Sequence, residues 1–517
     1  MTTTNLLDKR RAGILLHITS LPSTLGNGTM GNDAYRFVDF LKDCNLSVWQ
    51  VLPIHPPQNV PIRTPHRDFL SPYQPQSVYA GNPMLIDLQK LIDKGWLPKK
   101  QLPLFNNHEQ LEQSFEYRRA RLKEASIHFF QHAKKGERDK YQQFVEENNW
   151  WLNDYALFRA LKYNYQNTCW WNWFNEEHRH YGSQALVKAR KRLKPFIEWH
   201  YFIQFAFFTQ WQELKEYANH NGVYLFGDMP FFVARDSVEV WAYRNNFLLD
   251  KNGKPRYLSG ISPKDDYFHF GKGQCWGHPL YDWENLKQDD FKWWISRFKK
   301  ADELFDFVRL TYFRGFYQCW AIPAGNPAAS GKWRLTPWRA LFNRVKKENI
   351  VKYNFKKWIA EDVGASRRTI GLRSYEFSGI KILQLAFNDN SKVPLRNSHL
   401  PHHHSLNDVV YTGTHDSNTT LGWFNWVKKD KYKEKYVCDY LNAKPVDFPW
   451  GLIQAALRSV AKLAIIPMQD ILSLDSEHRM NNPCNPSRNW RWQFKWSQIT
   501  PDTEKKLKEM VERYERN

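Results

Sequence analysis

Four side chains with the chemistry of an acid, a base or a nucleophile stand at or directly after the ends of short apolar runs of this 517-residue chain. They are Asp228, Thr311, Glu361 and Asp416. Two carboxyl groups flanking one bond are the arrangement that glycoside chemistry requires, one as a general acid and one as a nucleophile or base. An acid at a strand end also commonly caps the next helix, but three acids in the same setting favour a carbohydrate-active site.

An arginine lies inside one of these apolar runs, residues 307–311. Side chains alternate along a strand, so Phe307, Arg309 and Thr311 should share a face. A buried guanidinium is costly unless a carboxylate meets it, and an acid is therefore expected two residues after Arg309. The chain has Thr311 there. We expect Arg309 to find its carboxylate elsewhere, with Asp416 as the first candidate.

Eight short apolar runs that end in polar residues predict buried strands. They span residues 13–17, 48–52, 223–228, 307–311, 358–361, 380–386, 409–415 and 463–467. Helix-like stretches such as 153–162 and 202–219 lie between most of them. This alternation predicts an α/β fold, a closed (β/α)8 TIM barrel with helical insertions between barrel strands. Chemistry in such a barrel takes place at the carboxyl ends of the strands.

The domain organisation follows from the same pattern. We expect residues 1–517 to form a single (β/α)8 catalytic-type domain, since no low-complexity linker interrupts it. The charged, helix-like stretch from about 96 to 192 is interpreted as a largely helical insertion beside the barrel. Residues from about 501 to 516 are interpreted as a C-terminal capping helix.

The net charge of +21 is typical of proteins that bind nucleic acid or an anionic surface, but the distribution of charge argues against it. The lysines are scattered in pairs, and the densest basic run, 188–194, reads better as a solvated helix face. No nucleic-acid partner is therefore expected. A basic surface binder stays open as a third class of function, which would show as strongly salt-dependent binding.

Other classes are excluded by what the sequence lacks. The six cysteines are far apart and form no Cys-x-x-Cys pair, which argues against a disulfide framework or a structural zinc site. The histidine run 402–404 is expected to be solvent-exposed, so no metal is predicted. No glycine-rich phosphate loop suggests a cofactor. Apolar runs are too short for a membrane span, and a cytoplasmic location is expected.

Aromatic residues near the strand ends fit the same substrate class. Sugars present apolar C–H faces ringed by hydroxyl groups, so their sites combine aromatic platforms with acids, amides and arginine. Tyr73, Tyr267 and Trp276 lie in loops or near strand ends where they suit this role. Each one separately is as compatible with an ordinary core position.

Nine short motifs, in unbroken order along nearly the whole chain, resemble glycoside hydrolase family 77, the 4-α-glucanotransferases or amylomaltases. They are LHITSLP at 16–22, SPYQ at 71–74, AGNP at 80–83, GDMP at 227–230, WGHPLY at 276–281, AED at 360–362, TGTHD at 412–416, RMN at 479–481 and NWRW at 489–492. The resemblance implies retaining transfer of α-1,4-glucan segments between malto-oligosaccharides, without an organic cofactor.

The resemblance also implies residue roles. Glu361 matches the acid/base, and Asp416 matches the acid that stabilises the transition state. Supporting or substrate-binding positions match a further set: Tyr73, Asp228, Tyr267, Trp276, Arg309 and His415. The implied partner is an α-1,4-glucan, and the sequence gives no oligomeric state.

The catalytic nucleophile does not carry over. The family reads Arg-Ile/Leu-Asp-His-Phe-Arg-Gly-Phe where this chain reads RLTYFRGF at 309–316, so Thr311 occupies the position of the nucleophilic Asp. Asp306 is too far upstream to replace it. Three substitutes stay open: a Tyr312 nucleophile, a Thr311 hydroxyl activated by Glu361 or Asp416, and a water admitted for inverting hydrolysis.

Two hypotheses follow. The chain is either a 4-α-glucanotransferase with impaired catalysis, or a catalytically inactive protein that binds malto-oligosaccharide, glycogen or a partner protein. Loss of a catalytic nucleophile generally leaves only a residual rate, so severe loss of transfer is expected.

Overall fold

The computed structural model describes residues 7–58, 70–105, 110–265, 271–348, 350, 355, 357–363, 375–387, 397–485 and 488–517. Its strands are numbered along the chain. They are β1 Arg11–Leu15, β2 Val48–Gln50, β3 Tyr224–Pro230, β4 Tyr257–Ile261, β5 Gln274–Pro279, β6 Phe307–Thr311, β7 Gln318–Pro323, β8 Lys332–Leu335, β9 Trp358–Ala360, β10 Ser378–Ile382, β11 Asp408–Tyr411 and β12 Leu463–Pro467.

Eight of these strands close into a barrel in which every neighbouring pair is parallel. Their order around the barrel is β1, β12, β11, β10, β9, β6, β3 and β2. Nearly all residues of these strands are buried, as expected when helices cover the outer face and side chains fill the interior. The predicted (β/α)8 TIM barrel is confirmed.

Helices surround the barrel and fill the long connection between β2 and β3. They are α1 Asn32–Asp43, α2 Leu88–Asp93, α3 Leu111–His132, α4 Lys135–Asn164, α5 Glu176–Arg179, α6 Gln184–Arg192, α7 Lys194–His220, α8 Val238–Ala242, α9 Trp283–Gln288, α10 Lys292–Leu304, α11 Arg314–Tyr317, α12 Trp338–Lys347, α13 Leu383–Ala386, α14 Thr420–Val427, α15 Lys431–Leu441, α16 Trp450–Arg458, α17 Met468–Ile471 and α18 Pro501–Arg513. None of the described helices combines the length and the apolar character that a membrane crossing requires.

A second, four-stranded sheet lies outside the barrel in the order β5, β4, β7 and β8. All of its pairings are antiparallel. It is built from the segments before and after β6, so it stands beside the end of the strand that carries Arg309. The eight predicted strands did not include it.

The segment at 380–386 differs from the prediction in type. The strand ends at Ile382, and residues Leu383–Ala386 form the short helix α13. An uninterrupted apolar run reads equally well as a buried strand or a buried helix, so the boundary was not visible in the sequence.

Candidate functional site

The register of three adjacent strands brings the charged residues together. Asp228 on β3 stands opposite Arg309 on β6, and Ile359 on β9 pairs with Arg309 on the other side. Glu361 directly follows β9, and its backbone N–H donates to the Leu310 carbonyl at 3.2 Å. Carboxyl ends of parallel strands meet at one edge, so the charges converge at the mouth of the barrel.

Arg309 pairs with two carboxylates. Its Nη1 lies 2.5 Å from Asp228 Oδ2, and its Nη2 lies 2.5 Å from Glu361 Oε1. The Arg309 and Asp228 side chains are 3% and 0% exposed, and that of Glu361 is 21% exposed. The expectation that Asp416 would be the partner is therefore wrong. The strands that flank β6 supply the acids, because they are its immediate neighbours in the barrel.

The Thr311 hydroxyl is held between Arg309 and Asp228. It accepts a hydrogen bond from Arg309 Nη1 at 2.8 Å and donates one to Asp228 Oδ1. Tyr73 donates its own hydroxyl to Asp228 Oδ2 at 2.9 Å. The predicted shared face of Arg309 and Thr311 is confirmed. Both the donor and an acceptor site of the Thr311 hydroxyl are thus in use.

Both oxygens of Glu361 also accept hydrogen bonds. Oε1 accepts from Arg309, and Oε2 accepts from the backbone N–H of Tyr312 at 2.6 Å. Tyr312 has a φ of 52°, in the left-handed region that non-glycine residues rarely adopt. This conformation turns the chain at the end of β6 and directs the Tyr312 N–H at Glu361.

The Tyr312 ring packs among other aromatic rings. Its centroid is 5.6 Å from that of Phe232 and 4.9 Å from that of Trp276, which meets it edge-on. Burial raises the pKa of the Tyr312 hydroxyl, so it stays protonated. The half-buried Trp276 donates its indole N–H to Gln274 Oε1 at 2.9 Å, which fixes the ring beside that of Tyr312.

The carboxylates around Arg309 stabilise its charged form. Burial alone lowers the pKa of Arg309, but Asp228 and Glu361 outweigh it and raise that pKa well above the ordinary value. Burial also raises the pKa of Tyr73 well above its ordinary value, and Asp228 adds to the effect. Tyr73 is therefore a permanent hydrogen-bond donor to Asp228.

Asp416 is positioned by two residues from near the end of the chain. Asn481 Nδ2 donates to Asp416 Oδ1 at 2.6 Å, and Arg479 Nη2 donates to the Asp416 carbonyl at 2.8 Å. His415 Nε2 lies 3.3 Å from Asp416 Oδ2. The Asp416 side chain is 35% exposed, more than any other acid of the site, so it is open to a ligand.

An aromatic stack joins the two halves of the site. The Tyr73 and His415 rings are stacked with centroids 5.2 Å apart and an angle of 9°, and Trp490 lies tilted against both. Burial lowers the pKa of His415 although Asp416 acts in the opposite direction. The buried His17, which interacts with His415, has a pKa lowered to about 3, chiefly by burial. Both imidazoles are neutral at pH 7.

The site therefore gathers six of the residues that the sequence singled out for binding or acid–base roles, together with Thr311. These six are Tyr73, Asp228, Arg309, Glu361, His415 and Asp416. Trp276 stands at the edge through Tyr312. Tyr267 lies outside the described residues. Among the described residues, no group of three or more His, Cys, Asp or Glu side chains is arranged to hold a metal ion.

Sequence reasoning missed the positioning roles of Arg479, Asn481 and Trp490. The motifs at 479–481 and 489–492 contain these residues. Arg479 and Asn481, however, lie 63 and 65 residues after Asp416 in the chain, so a local pattern does not show that they bind it. The histidine run was also misread in part, because His404 is buried and lies 2.7 Å from the Ser459 hydroxyl.

Comparison with known proteins decides the family. The model of glycoside hydrolase family 77, described as 4-alpha-glucanotransferase, matches residues 16–499. The chain belongs to glycoside hydrolase family 77. A 4-alpha-glucanotransferase from Thermus thermophilus is 39% identical to this family 77 chain over 514 residues, 98% of this chain and 99% of the relative. One from Synechocystis sp. is 39% identical over 507 residues, 96% of this chain and 95% of the relative.

A solved structure of a family 77 relative agrees. The amylomaltase from Streptococcus agalactiae, solved in complex with acarbose, matches with a TM-score of 0.88 at 33% identity, covering 98% of this chain and all 100% of that one. The family resemblance found in the motifs and the barrel that it implied are both confirmed.

Proposed function

We propose that this family 77 chain binds α-1,4-glucans at the mouth of the barrel and that its transfer of glucan segments is severely impaired at Thr311. The relatives named above carry the name 4-alpha-glucanotransferase, and one of them was solved with acarbose. In the proposed roles, Glu361 is the acid/base, Asp416 stabilises the transition state, and Thr311 holds the position of the nucleophile.

The observation that carries this proposal is the state of the Thr311 hydroxyl. A retaining transfer needs a nucleophile that forms a covalent bond to the anomeric carbon. A hydroxyl is a weak nucleophile unless an adjacent base takes its proton. The carboxylate next to Thr311 is Asp228, which already accepts hydrogen bonds from Arg309 and Tyr73. Its Oδ1 accepts from the Thr311 hydroxyl, but the Thr311 oxygen itself accepts from Arg309 Nη1, so one of the electron pairs that an attack on the sugar would use is already engaged.

Neighbouring groups do not replace the nucleophile. The Asp228 side chain is 0% exposed beneath Thr311 and Tyr73. Asp306 lies at the other end of β6, where it accepts from the backbone N–H of Leu225 at 2.7 Å. The Tyr312 ring packs on Phe232 and stays protonated.

Glu361 is held in place for the proposed acid/base role. A general acid must be positioned to pass a proton to the leaving oxygen. The two oxygens of Glu361 accept hydrogen bonds from Arg309 and from the Tyr312 N–H, which fix the carboxyl group beside the end of β6. The proposal therefore places the impairment at Thr311 and not at Glu361.

Binding groups, in contrast, are well ordered. The Tyr73–His415 stack offers an aromatic surface, and the held carboxylate of Asp416 offers acceptors for sugar hydroxyls. Tyr267 and Trp276 are the other proposed binding residues, and the buried Asp228 and Arg309 are proposed to support the site from beneath. The alternative is a catalytically inactive protein that binds malto-oligosaccharide, glycogen or a partner protein. The same observations support it.

The location proposed is the cytoplasm. All six cysteines are free thiols, which is typical of proteins from a reducing compartment.

Incubation of the protein with maltotriose tests the proposal. We expect binding with little or no formation of glucose and longer oligomers. The Thr311→Asp variant should gain disproportionation, because it restores a carboxylate at the strand end. Thr311→Asn is the matched control, since it has the same shape without a nucleophilic carboxylate, and it should stay inactive.

Two outcomes would contradict the proposal. Rapid disproportionation by the unmodified protein would show that Thr311 does not impair transfer. Absence of maltotriose binding by the protein and by both variants would show that no glucan site is present.

A further inference from the structure

A cleft of about 520 Å3, which shares no lining residue with the Arg309 network, lies beside helices α5 and α9. Its lining includes Tyr181, Tyr243, the turn at 244–246 and Asn285. Its volume falls in the range of about 300 to 1,000 Å3 that is typical of small-molecule sites.

The aromatic wall is rigid because one buried acid holds it. Asp154 on α4 accepts hydrogen bonds from the Tyr181 hydroxyl and, at 3.1 Å, from the Tyr243 hydroxyl. Arg190 on α6 donates to the same carboxylate at 3.1 Å. The Tyr181 ring also meets Trp241 edge-on at 5.2 Å. With both hydroxyls tied back, the tyrosines present their ring surfaces, and Tyr181 is 41% exposed.

The lining of the cleft also contains amides and a guanidinium. Asn285 Nδ2 donates to the Asn245 carbonyl at 2.6 Å. This bond orients the Asn285 side chain, whose Oδ1 can accept a hydrogen bond. Asn245 is exposed and Asn246 is half-buried. Arg244 lies over the Trp170 ring, its Nη2 donates to the Arg179 carbonyl, and its buried Nε has no partner.

The composition of the cleft selects the chemistry of its ligand. Aromatic faces with amides and one arginine fit a neutral polyhydroxylated molecule. The carboxylate of Asp250 acts on Arg244, and Asp289 adds a second carboxylate to the lining, so the cleft does not favour an anion. We propose that it is a second carbohydrate site, which binds a short α-1,4-glucan. The choice of glucan rests on the proposed function, because the barrel mouth is proposed to bind the same polymer.

Calorimetric titration with maltotriose tests this proposal. The unmodified protein should bind at two sites. Tyr181→Ala should lose one site, with the affinity of the cleft reduced about tenfold or more as the aromatic surface is removed. Tyr181→Phe should retain both sites, because it keeps the ring and loses only the hydroxyl. Tyr432→Ala, which removes a tyrosine that is 90% exposed elsewhere, is the control and should bind as the unmodified protein does.

Trp276→Ala, at the barrel mouth, separates the two proposals. If Trp276→Ala loses the site that Tyr181→Ala retains, and keeps the cleft site, both the barrel proposal and the cleft proposal are supported. A single site that Trp276→Ala removes and Tyr181→Ala does not would overturn the cleft and leave the proposed function standing. A single site that only Tyr181→Ala removes would support the cleft and contradict glucan binding at the barrel. If Tyr181→Ala does not fold, Asn245→Ala on the exposed rim serves instead, with weaker cleft binding expected and unchanged binding overturning the proposal.

Discussion

Breaking the buried ion pair between Arg309 and Asp228 should destabilise the barrel strongly, and the two residues should be energetically coupled. We consider Asp228→Ala, Arg309→Met and the double variant. Asp228→Ala removes the carboxylate that accepts from Arg309, Tyr73 and Thr311. Arg309→Met leaves Asp228 and Glu361 without their shared cation.

The magnitude follows from burial. With side chains that are 3% and 0% exposed, little solvent screens the pair. Removing one partner of a buried ion pair costs about 3–5 kcal/mol when it leaves the other charge unpaired, as Arg309→Met does to Asp228. Arg309 keeps Glu361 in Asp228→Ala, so that variant should cost toward the lower end of this range. The double variant leaves neither charge, so its cost should fall short of the sum of the two single costs by about 2 kcal/mol or more.

Equilibrium unfolding in urea, followed by tryptophan fluorescence, measures these free energies. Asp439→Ala is the control, since Asp439 pairs with Lys435 on the surface and both side chains are well exposed, 65% and 75%. Solvent and salt screen such a pair, so no measurable change is expected. The reasoning is refuted if Asp228→Ala costs no more than the control, or if the costs of the two single variants are additive.

Three further predictions concern single side chains. Burial raises the pKa of Glu239 from 4.5 to about 7, although hydrogen bonds from the Val78 N–H and the Ser77 hydroxyl act to lower it. As pH rises, the folded state therefore keeps the Glu239 proton after the unfolded state has lost it. The free energy of unfolding should therefore fall by on the order of 3 kcal/mol as pH rises from about 4 to 8, through the unfolded and then the folded pKa. Urea titrations of Glu239→Gln should lack this component, and parallel pH profiles for the two proteins would argue against it. Asn481→Ala frees the Asp416 carboxylate and should weaken maltotriose binding about tenfold by calorimetry, the value of one hydrogen bond to a charged group; an unchanged dissociation constant would contradict that role. Arg516, fully buried, donates to six carbonyl groups at the base of the barrel, and Arg516→Met should lower the free energy of unfolding by about 3 kcal/mol or more; a cost near zero in urea would rule this out.

Much of the barrel could be predicted because its strands are buried on both faces. Such strands appear in sequence as short continuous apolar runs, and the predicted runs at 307–311 and 463–467 match β6 and β12 residue for residue. The outer sheet was missed because its strands are half-exposed and carry residues such as Gly260, Gly277 and Lys332, which are uncommon in strands. Contacts with neighbouring strands, and not local propensity, stabilise that sheet.

The candidate site could be predicted in its residue types but not in its pairings. Alternation along one strand was enough to place Arg309 and Thr311 on one face. The partner of Arg309 depends on which strands flank β6 in the closed barrel, and on a register that sets Asp228 opposite Arg309. Neither is contained in a local sequence pattern. The binding of Glu361 by the Tyr312 N–H depends on a left-handed backbone at a tyrosine, which residue type alone does not predict.

The central claim is that Thr311 leaves the barrel without a nucleophile, and a donor with a good leaving group tests it most directly. Departure of fluoride from α-maltosyl fluoride needs little help from a general acid, so the state of Glu361 no longer limits the first step. The intact mass of the protein is then measured after mixing with this donor. The account predicts a maltosyl adduct on the Thr311→Asp variant, and none on the unmodified protein or on Thr311→Asn. An adduct on the unmodified protein would contradict the account.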